Sequence, residues 1–102
     1  LKTEQYSNVF KKGRFIRREG GVGVRYAMNR SAIPRLGVIV PRKGNRLAVR
    51  RNRLKRITRD CFRRHQAALP AIDIIVHITD AVDDLLLHRL LEQAFGELKQ
   101  NA

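Results

Sequence analysis

Apolar residues recur along this chain at two periods, and each change of period marks an element. Tyr6, Val9 and Phe10 stand three and four apart and predict a short helix over Glu4–Lys12. Thr3 can cap its start, Lys11 and Lys12 suit its C-terminal dipole, and Gly13 is a good stop. Arg14–Glu19 and Val22–Met28 read as two strands joined through Gly20-Gly21, a hairpin signal. In the second strand Val22, Val24, Tyr26 and Met28 share one side, and Gly23, Arg25 and Ala27 the other. Asn29–Pro34 is a polar loop. Leu36–Val40 is a continuous apolar run, expected as a central strand, and Pro41 ends it.

A helix is predicted from Leu47 onward. Leu47, Leu54, Ile57, Cys61 and Ala68 follow helical steps and make one narrow apolar stripe. Leu69-Pro70-Ala71 breaks this helix. Asp73–Ile78 is a further apolar strand, and Thr79–Asp84 is a turn with acids ready to cap. Leu85–Leu98 reads as a final helix, with Leu87, Leu90, Leu91, Ala94, Phe95 and Leu98 facing the core and Gly96 weakening its last turn. There is no internal repeat and no linker. A chain of 102 residues, 43% hydrophobic, fits one domain over 1–102 with a single core.

Charge changes the picture most. Residues 41–65 hold eleven of the 22 Lys and Arg against one acid, Asp60. The net charge is +7 over residues 1–40, +10 over 41–65 and −4 over 66–102, which sums to +13. Charged helix faces ordinarily mix signs at four-residue spacing, and unpaired like charges cost a few tenths of a kcal/mol per pair. A polyanion removes that cost, so the helix is read as nucleic-acid-binding, with the last third of the chain as its buttress. An acidic membrane fits less well. The basic face lacks the apolar rows of an interfacial helix, and no run approaches the ~20 residues of a membrane span.

On the helix, Asn52, Arg56, Arg59 and Arg63 lie along one face, with Arg51, Lys55 and Phe62 beside it. Arg forks two N–H groups onto a phosphate, Lys supplies a point charge, and Asn can address a base edge or a 2′-hydroxyl. Six such contacts to a duplex would give a slope of log K against log salt of about −5.

Protein-based cleavage finds no support. His65, His77 and His88 are scattered over two helices and a strand. Asp80, Asp83 and Asp84 read as helix-capping acids rather than metal ligands, and Asp60 as an ion-pair partner of its neighbouring arginines. Cys61 lies on the apolar stripe with no matched His and reads as a buried thiol. As the only cysteine it excludes a disulfide framework, so an intracellular, cytoplasmic location is expected. No signal peptide is seen. The chain opens at Leu1 rather than Met, and a short basic segment ahead of it is an expectation.

Four features in order carry a resemblance. Tyr6-x-x-x-Phe10 spaces two aromatics on the first helix. Arg35-Leu36-Gly37-Val38-Ile39-Val40 opens a strand. Arg51, Asn52, Arg53, Lys55, Arg56, Arg59, Asp60, Phe62 and Arg63 form a long helix signature. Leu69-Pro70-Ala71-Ile72-Asp73 precedes the last strand. Over essentially its whole length the sequence resembles the protein subunit of bacterial ribonuclease P. The loop Pro41-Arg42-Lys43 departs from that family, which commonly carries Ser, Thr or Ala before its first Lys there.

The resemblance implies an α+β fold: a mixed four-stranded sheet with about three helices, of the ribosomal protein S5 domain 2-like kind, with a left-handed βαβ crossover. It implies an accessory subunit of the endoribonuclease that removes the 5′ leader from precursor tRNA. The catalytic centre and its Mg²⁺ would belong to the RNA subunit and substrate, with no ion bound by protein side chains alone. The partners implied are ribonuclease P RNA and precursor tRNA, with no protein partner required. Arg50, Arg51, Asn52, Arg53, Lys55, Arg56, Arg59 and Arg63, with Arg42, Lys43 and Arg46 of the preceding loop, are the expected RNA surface. Tyr6, Phe10 and, more weakly, Tyr26 are the expected leader-cleft aromatics, although Tyr6 and Phe10 would serve equally well as core. Phe62 and Phe95 are expected in the core. Two other readings remain. A ribosomal or assembly protein holding ribosomal RNA would explain charge and size but not the ordered motifs. A major-groove DNA binder would need a helix-turn-helix, zipper or zinc ligands that the chain lacks.

Overall fold

In the computed structural model, which describes residues 2–101, the elements run in a simple order. They are α1 (Thr3–Lys12), β1 (Arg14–Glu19), β2 (Val22–Met28), β3 (Arg35–Ile39), α2 (Ala48–His65), a 3₁₀ turn (Gln66–Ala68), β4 (Ile72–Ile78) and α3 (Asp84–Asn101). The strands form one sheet in the order β1-β2-β4-β3. β1 and β2 pair antiparallel, as do β2 and β4, while β3 and β4 are parallel. The sheet is therefore mixed, and α2 lies in the crossover between its two parallel neighbours.

The sheet is covered on both faces. Val22, Val24, Ile72, Ile74, Val76 and Ile78 meet Leu54, Ile57 and Phe62 of α2 and the Leu87, Leu90, Leu91, Phe95 and Leu98 face of α3. On the other face Ala27 and Ile75 meet Val9 of α1, with Tyr6 and Ile39 packed against them. β4 is buried almost throughout because it sits inside the sheet with helices on both sides, and its sequence is accordingly a continuous apolar run. β3 was expected to be central by the same reasoning, but it is an edge strand. Its apolar run reflects cover on both faces rather than a place in the middle.

Most boundaries follow the sequence pattern, and the exceptions have local causes. Thr3 is inside α1 rather than capping it, and the Lys2 N–H instead donates to Gln5 Oε1 at 2.7 Å. Gly20 and Gly21 both have positive φ, +58° and +78°, which a two-residue hairpin turn of this hand requires. Asp83 accepts from the Leu86 N–H at 2.8 Å and starts α3, as the acids of that turn suggested. At Gly44 a Cβ would stand 1.9 Å from the Thr79 carbonyl oxygen, so only glycine lets the basic loop cross the turn before α3.

Two of the sequence motifs meet across the parallel pair. Arg35 stands opposite Asp73 in the β3–β4 register. The Asp73 carboxylate is 2% exposed. It accepts from Arg35 Nε at 2.7 Å, Arg35 Nη2 at 2.9 Å and Asn29 Nδ2 at 2.9 Å. Asn29 also donates to the Ile33 carbonyl and accepts from the Ser31 N–H, which shapes the loop into β3.

Asp73→Ala should destabilise the fold, because it leaves the Arg35 guanidinium and Asn29 without their acceptor. Gly96→Ala should stabilise by about 0.5–1 kcal/mol, since nothing lies within 4 Å of a Cβ built there and helical glycine carries an entropic cost. Denaturant unfolding at unchanged slope reads both; no gain for Gly96→Ala would show strain in that turn of α3.

Candidate nucleic-acid interface

α2 buries Leu54, Ile57, Thr58, Cys61 and Phe62, and Thr58 satisfies its hydroxyl on the Leu54 carbonyl at 2.9 Å. Two members of the expected stripe are elsewhere. Leu47 precedes the helix and is 73% exposed, and Ala68 is exposed in the 3₁₀ turn. The stripe is shorter than expected because the helix begins and ends inside it. Phe62 and Phe95 are core, edge to face at 6.1 Å.

The remaining surface of α2 is basic. Asn52, Arg53, Arg56, Arg59, Arg63 and Arg64 are exposed, as are Arg42, Lys43 and Arg46 of the loop before it. Arg50, Arg51 and Lys55 are half-buried. Several of these cations already have protein partners. Arg50 and Arg53 both meet Asp84 at the start of α3, each at 2.7 Å. Arg51 Nη1 donates to the Asn45 and Arg46 carbonyls, at 3.1 and 2.8 Å, and clasps the loop to the helix start. Arg63 is 3.7 Å from Asp60, the ion pair expected for that acid. Arg42, Lys43, Arg46, Lys55, Arg56 and Arg59 have no ion pair among the described residues. Sequence reasoning treated the whole set as one surface; the Asp84 tie spans 31 and 34 residues of chain and has no local signal.

Two hollows flank these cations. One, of about 590 Å³, runs along the β3 edge between Tyr6 of α1 and Arg59 and Arg63 of α2. The half-buried Tyr6 ring lies on Gly37, where a Cβ would stand 2.6 Å from the ring. The glycine of the Arg-Leu-Gly motif is thus the seat of Tyr6. The other hollow, of about 430 Å³, lies on the α1 face and is lined by Phe10, Phe15, Gly21, Gly23, Arg25 and His77. Here the Arg25 guanidinium carbon is 4.0 Å from the Phe15 ring centre and 5.0 Å from that of Phe10. Phe10 is 41% exposed and so is not core.

Tyr26 does not join them. It packs against the main core on the opposite face of the sheet. The alternation of β2 requires this, because Tyr26 shares its side with the buried Val22 and Val24. Phe15 was missed; its position opposite Arg25 in the β1–β2 register was the available signal.

The titratable groups divide into ties and one unexpected cluster. Hydrogen bonds from Arg53 and then Arg50 hold the Asp84 carboxyl below its ordinary value. That tie is therefore at full strength above the ordinary carboxylate range and fails as pH falls through the lowered value. Cys61 was read as having no matched His, yet the fold brings His65 and Glu92 against it. Burial, then a hydrogen bond to Glu92, pushes the Cys61 thiol up to about 12, so it is no nucleophile. Burial also pushes the Glu92 carboxyl up, but hydrogen bonds from His65 and Cys61 outweigh it and leave it below its ordinary value. Among the described residues no helix is long and apolar enough to cross a membrane.

Comparison with known proteins gives one answer. The family model described as Ribonuclease P matches residues 1–101. The ribonuclease P protein component of Chromohalobacter salexigens is 38% identical over 104 residues, covering 99% of this chain and 81% of that protein. The Yersinia pestis protein of the same name is 42% identical over 71 residues, 70% of this chain and 59% of its own length. Among solved structures, the ribonuclease P protein of Staphylococcus aureus superposes with a TM-score of 0.84 at 28% identity, covering 95% of this chain and 91% of that one. The Thermotoga maritima protein, in complex with 1-(4-fluorophenyl)-2-thiourea, gives 0.79 at 30% identity over 100% of this chain and 99% of its own.

Asp84→Asn should release Arg50 and Arg53 toward a polyanion. Binding to a structured RNA, measured across a salt series, should become steeper by about one to two units of log K per log salt. An unchanged slope would mean that neither arginine reaches a phosphate.

Proposed function

The chain belongs to the ribonuclease P protein family, the protein components of a tRNA-processing endoribonuclease, and on that footing we propose how its two surfaces divide the work. The unpaired cations of α2 and its leading loop bind the RNA subunit. The hollow around Phe10, Phe15 and Arg25, continued past Tyr6 along the β3 edge, takes the single-stranded 5′ leader of precursor tRNA.

The observation that carries this reading is the sorting of the basic residues. Arg50, Arg51 and Arg53 support the fold, while Arg42, Lys43, Arg46, Lys55, Arg56 and Arg59 make no ion pair among the described residues. Unpaired cations so clustered in sequence are costly until phosphates neutralise them. Asn52, exposed on the same helix, can donate and accept toward a 2′-hydroxyl. The aromatic hollow supplies the complementary chemistry, since a base stacks on an exposed ring or guanidinium for about 1–3 kcal/mol whatever its identity.

Catalysis is assigned to the RNA subunit. Asp83 caps α3 and Asp84 is tied to two arginines, so the acids nearest one another have other work. The Mg²⁺ of the reaction is held by the RNA subunit and substrate, and the clustered cations lower the concentration of it that the RNA needs. No protein partner is required, and precursor tRNA sets the cytoplasm as the working compartment. The ribosomal-protein reading is not favoured, because it explains charge, size and the basic helix but not the ordered motifs or the family match.

Reconstitution with a bacterial ribonuclease P RNA at near-physiological Mg²⁺ tests the assignment. Cleavage at the mature 5′ end should need both components; cleavage by protein alone would place the active site in this chain. Phe10→Ala should weaken leader-bearing substrate by about 1–3 kcal/mol and leave mature tRNA unaffected. An equal loss on both would remove Phe10 from the leader path. Arg56→Ala with Arg59→Ala should flatten the salt dependence of RNA binding by about two units.

A further inference from the structure

Cys61 and His65 stand one turn apart on α2, and Glu92 faces them from α3. Cys61 Sγ is 3.3 Å from Glu92 Oε1, and His65 Nε2 is 2.7 Å from Glu92 Oε2. One donor atom from each residue lies within 4.8 Å of the others. We propose that Cys61, His65 and Glu92 form a binding site for one divalent ion of the zinc class, joining α2 to α3.

The donor set selects the ion. A thiolate, an imidazole and a carboxylate suit Zn²⁺ or Co²⁺, whereas Mg²⁺ demands an octahedron of oxygens. Three protein donors leave a fourth position for water, and the half-exposed Glu92 side chain marks the solvent side. Tetrahedral bonds of ordinary length set donors about 3.4 Å apart; the Sγ–Oε1 pair stands at 3.3 Å, and the whole set, within 4.8 Å, closes by side-chain adjustment when an ion enters. The Nε2–Oε2 pair, at 2.7 Å, must widen, and the half-exposed Glu92 side chain has solvent on one side into which to shift. His65 Nδ1 is buried with no hydrogen-bond partner, so the ring is oriented by its bond to Glu92 and by packing on Phe95 rather than by an outer hydrogen bond.

The ion-free state is a hydrogen-bonded triad, in which the Cys61 thiol keeps its proton and donates to Glu92 Oε1. Binding breaks the S–H bond and forms a metal–sulfur bond, and the proton leaves to water. The thiolate and the Glu92 carboxylate then balance the two positive charges. Arg64, 3.5 Å from Glu92 Oε1, is the competing cation, and it swings to solvent when the ion enters. Asp84 already ties the start of α2 to the start of α3, and this site would tie the later turns of the same two helices. The proposal does not depend on the RNA reading.

The full chain is titrated with Co²⁺ as a spectroscopic probe. The expected result is one ion per chain, with a sulfur-to-cobalt charge-transfer band and the strong d–d bands of a tetrahedral site. Zn²⁺ should displace it and Mg²⁺ should not. Cys61→Ser should abolish the charge-transfer band, and Glu92→Gln, at an exposed position that the fold tolerates, should weaken Zn²⁺ binding by about tenfold or more. Absence of the charge-transfer band in the parent chain would overturn the site. So would Zn²⁺ affinity unchanged by Glu92→Gln, since the ion would then be held elsewhere.

Discussion

Two neighbouring parallel strands cannot be joined by a tight turn. The chain must leave the end of one, travel back along the sheet and enter the next from its start. The β3–β4 pair imposes that journey here, and α2 is the segment that makes it. Much of the rest depends on this. A crossover helix buries one side against the sheet and has another for solvent, so eleven cations can sit in and around it without entering the core. The pairing is in turn fixed by Arg35 and Asp73, opposite one another in register, whose charges are satisfied only when β3 and β4 are aligned. The strand, the loop before it and the helix after it thus rest on one buried carboxylate.

Charge within the fold is arranged by the same economy. The last third of the chain is acidic and the first two thirds are basic, and the contact between them is α3 against α2. Asp84 takes up Arg50 and Arg53, and Glu92 takes up Arg64 and His65. The basic helix α2 is thereby held at both ends of its contact with α3, and like-charge repulsion along it is reduced where the core is nearest. Arg56 and Arg59 of the same helix have no ion pair among the described residues. Arginine is thus found among both the paired and the unpaired cations of α2.

Local patterns in the sequence carried the elements well. The hairpin, the two outer helices and the core face of α3 all follow from periodicity and turn chemistry, because each depends on residues only a few positions apart. What the sequence did not reveal is what depends on pairing between distant segments. An apolar run does not distinguish β3 at an edge from β4 inside, since cover by helices makes both hydrophobic. Tyr26 was misassigned to the cleft although its own strand alternation places it beside Val22 and Val24. The tie from Arg50 and Arg53 to Asp84, the seat of Tyr6 on Gly37 and the meeting of Cys61 with Glu92 are all consequences of α1 and α3 landing where they do. The family motifs were legible as a signature; the reasons for Arg35, Gly37 and Asp73 within them needed the fold.

The stack of Phe10, Arg25 and Phe15 has a further consequence. Its members come from α1, β2 and β1, and the guanidinium is already held between two rings before any nucleic acid arrives. Much of the ordering cost of that side chain is therefore met during folding. What the stack offers outward is a flat face, and only a base with a flat face of its own to spare can use it. Bases inside a helix have both faces covered by their neighbours. A surface of this kind suits unpaired bases and is indifferent to their sequence.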